Sequence, residues 1–340
     1  VEDSNTLPQE IAENPITPQE AIMQTTGNFF PIIEVRNYLE ECRSDVGMFV
    51  EHHKVGRLNL TDNDQSVEFE EDWTLKPIRS YTPGKANTEG AIEIFSEPES
   101  IRGEIERFRY IAGIDPIDND YIKNGSLGSI FVMDRYTEQI VAEYTGRPQR
   151  AEEFYETCRR LLIYYNAEAN YESNIKGMFG YFDNKNSLHL LCNTPQWLKD
   201  SNQVKATLSG RDSKGTRATE EINNEGLRLQ KSWMLGNFVE NDGSEENSTL
   251  MLRKIRSLGY LEELYAHNDK GNFDRISAMG LLLILKKSLE RIIRQDFSEE
   301  YIEEDAFINA NFDERFKGGE LGLFKEERKP NLFKKELMYE

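Results

Sequence analysis

Residues 110–144 read YIAGIDPIDNDYIKNGSLGSIFVMDRYTEQIVAEY, and this stretch decides the fold class. Residues 110–115 are an apolar run that ends in an acid, as a buried strand does on reaching a sheet edge. Residues 129–134 (SIFVMD) and 139–144 (QIVAEY) are two further strand-like runs joined by a short polar turn, so the three form a meander. Residues 151–166 then place Phe154, Cys158, Leu161, Leu162 and Tyr165 on one helical face. A short strand ending at Tyr171-Glu172, a helix over 176–182 and a strand over 188–192 follow. The order β-β-β-α-β-α-β predicts a mixed α/β layer fold.

Upstream, residues 1–20 carry Pro8, Pro15 and Pro18 and read as an extended arm. Residues 31–44 open on a proline and keep helical spacing. Short β-like runs at 57–60, 66–70, 77–81 and 91–95 make residues 1–109 an acidic, β-rich connector. Downstream, residues 199–220 are polar, basic and glycine-containing. That reads as an exposed loop offering Lys205, Arg211, Lys214 and Arg217 to phosphates. Helices are expected over 220–235, 248–266 and from near Asn272 to about Arg294. Residues 110–295 therefore form the main domain, and 296–340 an acidic, mixed-charge tail.

The formal net charge of the 340 residues is −20, which argues against a nucleic-acid partner on first reading. The acidic excess lies in the flanks, however, and residues 111–295 are near neutral. No run approaches the ~20 apolar residues of a membrane span, so no membrane partner is expected. No signal peptide is visible, and the missing initiator methionine suggests a piece of a longer protein. Cys42, Cys158 and Cys192 lack C-x-x-C spacing and read as reduced, apolar residues; His52, His53, His189 and His267 make no zinc pattern. There is no GK[ST] phosphate loop. The Asp118-Asn119-Asp120 run fails as a calcium loop, because Ile122 stands where a ligand belongs and the glycine is missing.

Three carboxylates occupy unusual places. Asp115 ends the first core strand, Glu172 ends a later strand in YESN, and Asp274 opens the final helix in GNFDR. Each has an ordinary explanation: a turn start before Pro116, an exposed strand end, a helix N-terminus. Together, on one sheet edge, they form a hard oxygen site suited to Mg²⁺ or Mn²⁺. Two such ions ~3.5–4 Å apart activate water and stabilise the leaving oxygen of a phosphodiester.

IAGIDPIDND, SIFVMDRYTEQIVAEYTGRP, AEEFYETCRRLLIYYN, YESNIKG and GNFDRISAMGLLL resemble the nuclease domain of the large terminase subunit of tailed bacteriophages, of the crAss-like variety. The resemblance covers residues 110–295, and ITPQEAIMQTTGNFFP upstream resembles the connector that follows the motor domain. It implies a ribonuclease-H-like fold in which Asp115, Glu172 and Asp274 are both catalytic residues and metal ligands. It also implies an endonuclease that cuts concatemeric viral double-stranded DNA when packaging begins and ends. The implied partners are the terminase ATPase domain, the portal protein and the small terminase subunit. The implied place is the host bacterial cytoplasm, transiently at the procapsid portal. With no nucleotide-binding loop in these residues, the chain is expected to cut but not to pump. One departure concerns the third acid: some relatives carry two adjacent acids there, whereas Asp274 is followed by Arg275, with Asp269 the nearest substitute. Two other readings remain open: another ribonuclease-H-like nuclease such as a junction resolvase, and a non-catalytic portal-docking module, which the negative charge motivates.

Overall fold

The computed structural model describes residues 28–44, 53–61, 66–79, 88–118, 126–200, 213–239, 248–268 and 271–291. Its elements are α1 (Ile32–Ser44), β1 (Lys54–Leu60), β2 (Val67–Glu71), β3 (Ile92–Ile94), β4 (Tyr110–Asp115), β5 (Gly128–Asp134), β6 (Gln139–Gly146) and α2 (Ala151–Tyr165). Then come β7 (Glu168–Tyr171), α3 (Lys176–Asn184), α4 (Gln196–Asp200), α5 (Glu220–Met234), β8 (Asn237–Val239), β9 (Ser248–Leu250), α6 (Leu258–Ala266) and α7 (274–291). The expected arm at 1–20 and tail at 296–340 lie outside the described residues.

Seven strands form one sheet in the order β2-β1-β3-β6-β5-β4-β7. Strands β4, β5 and β6 are the antiparallel meander, and β7 returns through α2 to lie parallel to β4. This meander with a parallel fourth strand is the ribonuclease-H-like arrangement. The strands of the N-terminal segment extend the same sheet, β3 pairing with β6.

Nearly every residue of β4, β5 and β6 is buried, because helices cover both faces and no side needs to be polar. On one face, α2 buries Phe154, Cys158, Leu161, Leu162 and Tyr165 against Ala112, Ile114, Ile130 and Val132. On the other, α7 lies over Ile111, Phe131 and Met133, with Tyr260 and Leu261 of α6 beside it. Helix α7 comes unusually close to β4. A Cβ on Gly113 would lie 2.1 Å from the Ala278 carbonyl oxygen and 2.4 Å from the Leu282 nitrogen. Asn170, beside Gly113 in the sheet, donates to the Leu281 carbonyl at 2.9 Å and pins the same helix.

Two expected elements differ. Residues 188–192 were expected as a strand but form a 3-10 turn at Leu188–Leu190, and only Leu191 bridges to Ala169. The apolar run LHLLC closes local bonds first: the Leu190 nitrogen reaches the Ser187 oxygen and the Leu191 nitrogen the Leu188 oxygen. The single helix expected over 248–266 is instead β9, a 3-10 turn at Met251–Lys254 and α6. Ser257 breaks it by standing in extended geometry and capping the Tyr260 nitrogen at 2.9 Å. Of residues 77–81, the described 77–79 form no strand.

Candidate metal centre and nucleic-acid interface

β4 and β7 run parallel, so their C-terminal ends reach the same sheet edge. Asp115 is the last residue of β4, and its register puts it on the face covered by α7, in line with Ile111 and Gly113. Glu172 directly follows β7, and its backbone nitrogen bonds the Ile114 carbonyl at 3.2 Å. Asp274 is the first residue of α7, at the positive end of the helix dipole. The close seating of α7 over Gly113 is what carries Asp274 to the end of β4.

Each acid is held by neighbours. Asp274 is 6% exposed and accepts from Ser126 Oγ, from the Leu127 nitrogen at 3.1 Å and from Asn272 Nδ2 at 3.0 Å. Asn272 also donates to Ser126 Oγ at 2.6 Å, and the Arg147 guanidinium donates to the Ser126 carbonyl. Glu172 accepts from Asn174 Nδ2 at 3.0 Å, and that amide also reaches the Ala218 carbonyl at 3.2 Å. The Ser277 hydroxyl, one turn along α7 from Asp274, draws the Asp115 carboxyl back down, and Asp115 does the same for Glu172.

Asp115 feels the charge of the other two acids. Burial, then the charges of Asp274 and Glu172, push the Asp115 carboxyl well above the usual carboxylate range. Burial raises Glu172 too, opposed by its bonds to Asn174 and Asp115, with Asp118 adding like charge. Burial also raises Asp274, opposed first by its bonds to Ser126 and Leu127. Glu263 of α6 is pushed up to about 7, chiefly by burial and partly by Asp274, against the opposing pull of Arg275. Among the described residues, no three His, Cys, Asp or Glu side chains close around a common point as metal ligands. Asp115, Glu172 and Asp274 thus share one sheet edge and one electrostatic field without being closed into a chelate. The donor set suits a hard divalent cation: carboxylate oxygens dominate, and the positive charge would relieve their mutual repulsion.

The expected DNA-contacting cations divide. Lys205 and Arg211 lie outside the described residues, as does Asp269. Lys214 is not a free loop cation, because its ammonium donates to the Leu191 carbonyl at 2.6 Å and Asn193 bridges its backbone. Arg217 is exposed, one residue beyond Thr216, which forms a parallel bridge with Glu172.

Sequence reasoning did not single out Ser126, Asn272, Ser277 or Gly113, which build the site around the acids. Short polar residues and glycines are ordinary in turns, and only the fold shows what they touch. A cavity of about 590 Å³ lined by Tyr136, Trp233, Lys254 and Lys286 lies towards the far end of α7, away from the acids. A smaller one of about 260 Å³ between α5 and α7 is bordered by Asn272 and Ser277.

No family model matches this chain, and no curated protein matches it. Among solved structures it is similar to the large terminase nuclease from thermophilic phage G20c, at 12% identity and a TM-score of 0.27, over 61% of this chain and 91% of that one. It is also similar to the same phage's large terminase nuclease with bound magnesium, at 11% identity and a TM-score of 0.33, over 62% and 90%. Similarity of this strength assigns no role to any residue here.

Proposed function

We propose that this chain is a divalent-metal-dependent endodeoxyribonuclease of the large-terminase kind, cutting concatemeric viral double-stranded DNA at the start and end of genome packaging. One observation carries the reading: Asp115, Glu172 and Asp274 stand at one sheet edge, where burial raises all three carboxyls and the charges of Asp274 and Glu172 raise Asp115 further. Buried carboxylates of like charge cost a purely structural site stability, whereas a bound cation would offset that cost. The sequence resemblance over residues 110–295 points the same way.

Asp115, Glu172 and Asp274 would hold Mg²⁺ or Mn²⁺. Two such ions, when bound, supply an activated water and stabilise the leaving oxygen. The protein's own part is placement. Ser126, the Leu127 nitrogen and Asn272 fix both oxygens of Asp274, and Asn174 fixes Glu172. Arg217, exposed next to the Thr216 bridge to Glu172, is the candidate phosphate contact. In this reading the DNA duplex, the motor ATPase domain, the portal and the small terminase subunit are the partners, in the host bacterial cytoplasm.

Calorimetric titration with Mn²⁺ tests the site. Binding by the wild type and its loss in Asp115→Asn support the nuclease. A folded wild type that binds no Mn²⁺ sinks it in favour of a portal-docking module. Preference for four-way junctions over linear and supercoiled duplex would instead identify a junction resolvase.

A further inference from the structure

Arg275 directly follows Asp274 but points away from the acids. It is 1% exposed. Its Nε donates to Glu143 of β6 at 2.5 Å, its Nη1 to Glu263 of α6 at 2.9 Å, and its Nη2 to the Ile78 carbonyl. Its backbone nitrogen also bonds Glu263, at 3.0 Å. Helix α6 leaves a slot for it: a Cβ on Gly259 would lie 2.5 Å from the guanidinium carbon. A long side chain filled into a glycine slot and bonded in three directions has little freedom to rotate.

The bonds continue into the N-terminal strands. Glu143 pairs across the sheet with Glu93 of β3, and both are 1% exposed. Glu93 is gripped by a two-pronged Arg79 at 2.6 Å and 2.6 Å, and His53 Nε2 lies 2.6 Å from it. Residues 78 and 79 therefore touch both ends of this buried charge cluster, Ile78 at Arg275 in the first turn of α7 and Arg79 at Glu93 of β3.

We propose that Arg275 is a positioning residue for the third carboxylate: locked in the Gly259 slot and tied to Glu143, Glu263 and Ile78, it fixes the first turn of α7 and makes the stretch at Ile78 and Arg79 a structural part of the site. The inference rests on the nuclease reading for its functional consequence, but its structural half is independent. Asp274 is held from the solvent side by Ser126, Leu127 and Asn272. Arg275 holds the same turn from the core side. Arginine here is therefore not a lost ligand but an anchor, and its fork cannot be replaced by one more acid.

Two variants test it. Gly259→Ala pushes the guanidinium out while keeping every charge. The triple change Arg275→Met, Glu143→Gln, Glu263→Gln removes the tie without leaving an unpaired buried charge, an exchange that folded proteins tolerate. Each is compared with the wild type by amide hydrogen exchange over residues 272–278, by Mn²⁺ titration and by plasmid-cleavage kinetics. Faster exchange in this turn, Mn²⁺ affinity lower by ~10–100-fold and a fall in kcat with unchanged KM for DNA are expected. Unchanged exchange in either folded variant overturns the positioning role. A wild type that binds no Mn²⁺ defeats the nuclease reading instead, and the exchange measurement still decides whether Arg275 holds the turn.

Discussion

At Asp274 the cost of burying a carboxylate is offset by three donors and a helix N-terminus, yet burial still raises its carboxyl. The same holds more strongly at Asp115, where two further acids add repulsion. A carboxyl raised in the folded state binds its proton more tightly there than in the unfolded chain. It therefore adds stability below its unfolded pKa, and that contribution is lost as pH rises through the folded value. The metal-free protein is accordingly expected to lose melting temperature as pH climbs from the ordinary carboxylate range to about 7, where Glu263 titrates. Mn²⁺ should restore it. Asp115→Asn removes one like charge and should raise the metal-free melting temperature at pH 7.5 by a few degrees, since ~1 kcal/mol shifts a domain of this size by ~2–4 °C. Scanning calorimetry with EDTA checks both; a flat pH profile or a lower melting temperature in Asp115→Asn contradicts the repulsion. The cations separate at this scale too. Arg217→Ala should flatten the salt dependence of DNA binding by about one unit of log–log slope. Lys214→Ala should instead lower stability, because its ammonium serves the Leu191 carbonyl. Equal slopes in wild type and Arg217→Ala would remove Arg217 from the interface. The three acids could be singled out in the sequence because each sits where an apolar strand stops or a helix starts; that they hold metal is the proposal. Glu263 and Arg275 were not, since their pairing joins residues with no shared local pattern.

The elements that position the acids were legible where periodicity is strong. Strand β4 appears with the expected limits, 110–115, and β5, β6, α2 and α5 differ from expectation only at their ends. Short apolar runs were not decisive. LHLLC satisfies a strand pattern and a turn equally, and the one helix expected over 248–266 is broken at Leu250 and again before α6, which Ser257 caps. The closeness of α7 to β4 left one trace in the sequence, the glycine of YIAGID, whose reason emerges only from the packing. Gly113→Ala forces a Cβ against the helix backbone, which has no flexible end to give way. Overpacking of this kind costs ~1–3 kcal/mol. It should also shift α7 and lower cleavage by ~100-fold, as small misplacements of reacting groups do. Melting and plasmid-cleavage assays check this, and wild-type cleavage in Gly113→Ala would mean that α7 does not set the place of Asp274.

Over the whole molecule, the segment read as a separate connector supplies three strands to the main sheet and reaches the core through Arg79, His53 and the Ile78 carbonyl. The sequence pattern marked these as β-like runs but held no sign of which sheet they join, because pairing between β3 and β6 spans some fifty residues of chain. No described helix is long and apolar enough to cross a membrane. The net charge of −20 and a proposed DNA substrate are reconciled by where the charge lies, with the acidic excess in the flanks and a near-neutral centre. Strong duplex binding is then expected to need a basic partner surface besides this chain.

The most direct measurement is nicking and linearisation of supercoiled plasmid by this chain with Mn²⁺, Mg²⁺ or EDTA, beside Asp115→Ala and Asp274→Ala. Cutting that requires the metal and disappears in both folded variants is the expected result. Cutting that survives EDTA, or that both variants retain, would contradict a metal centre built on these acids.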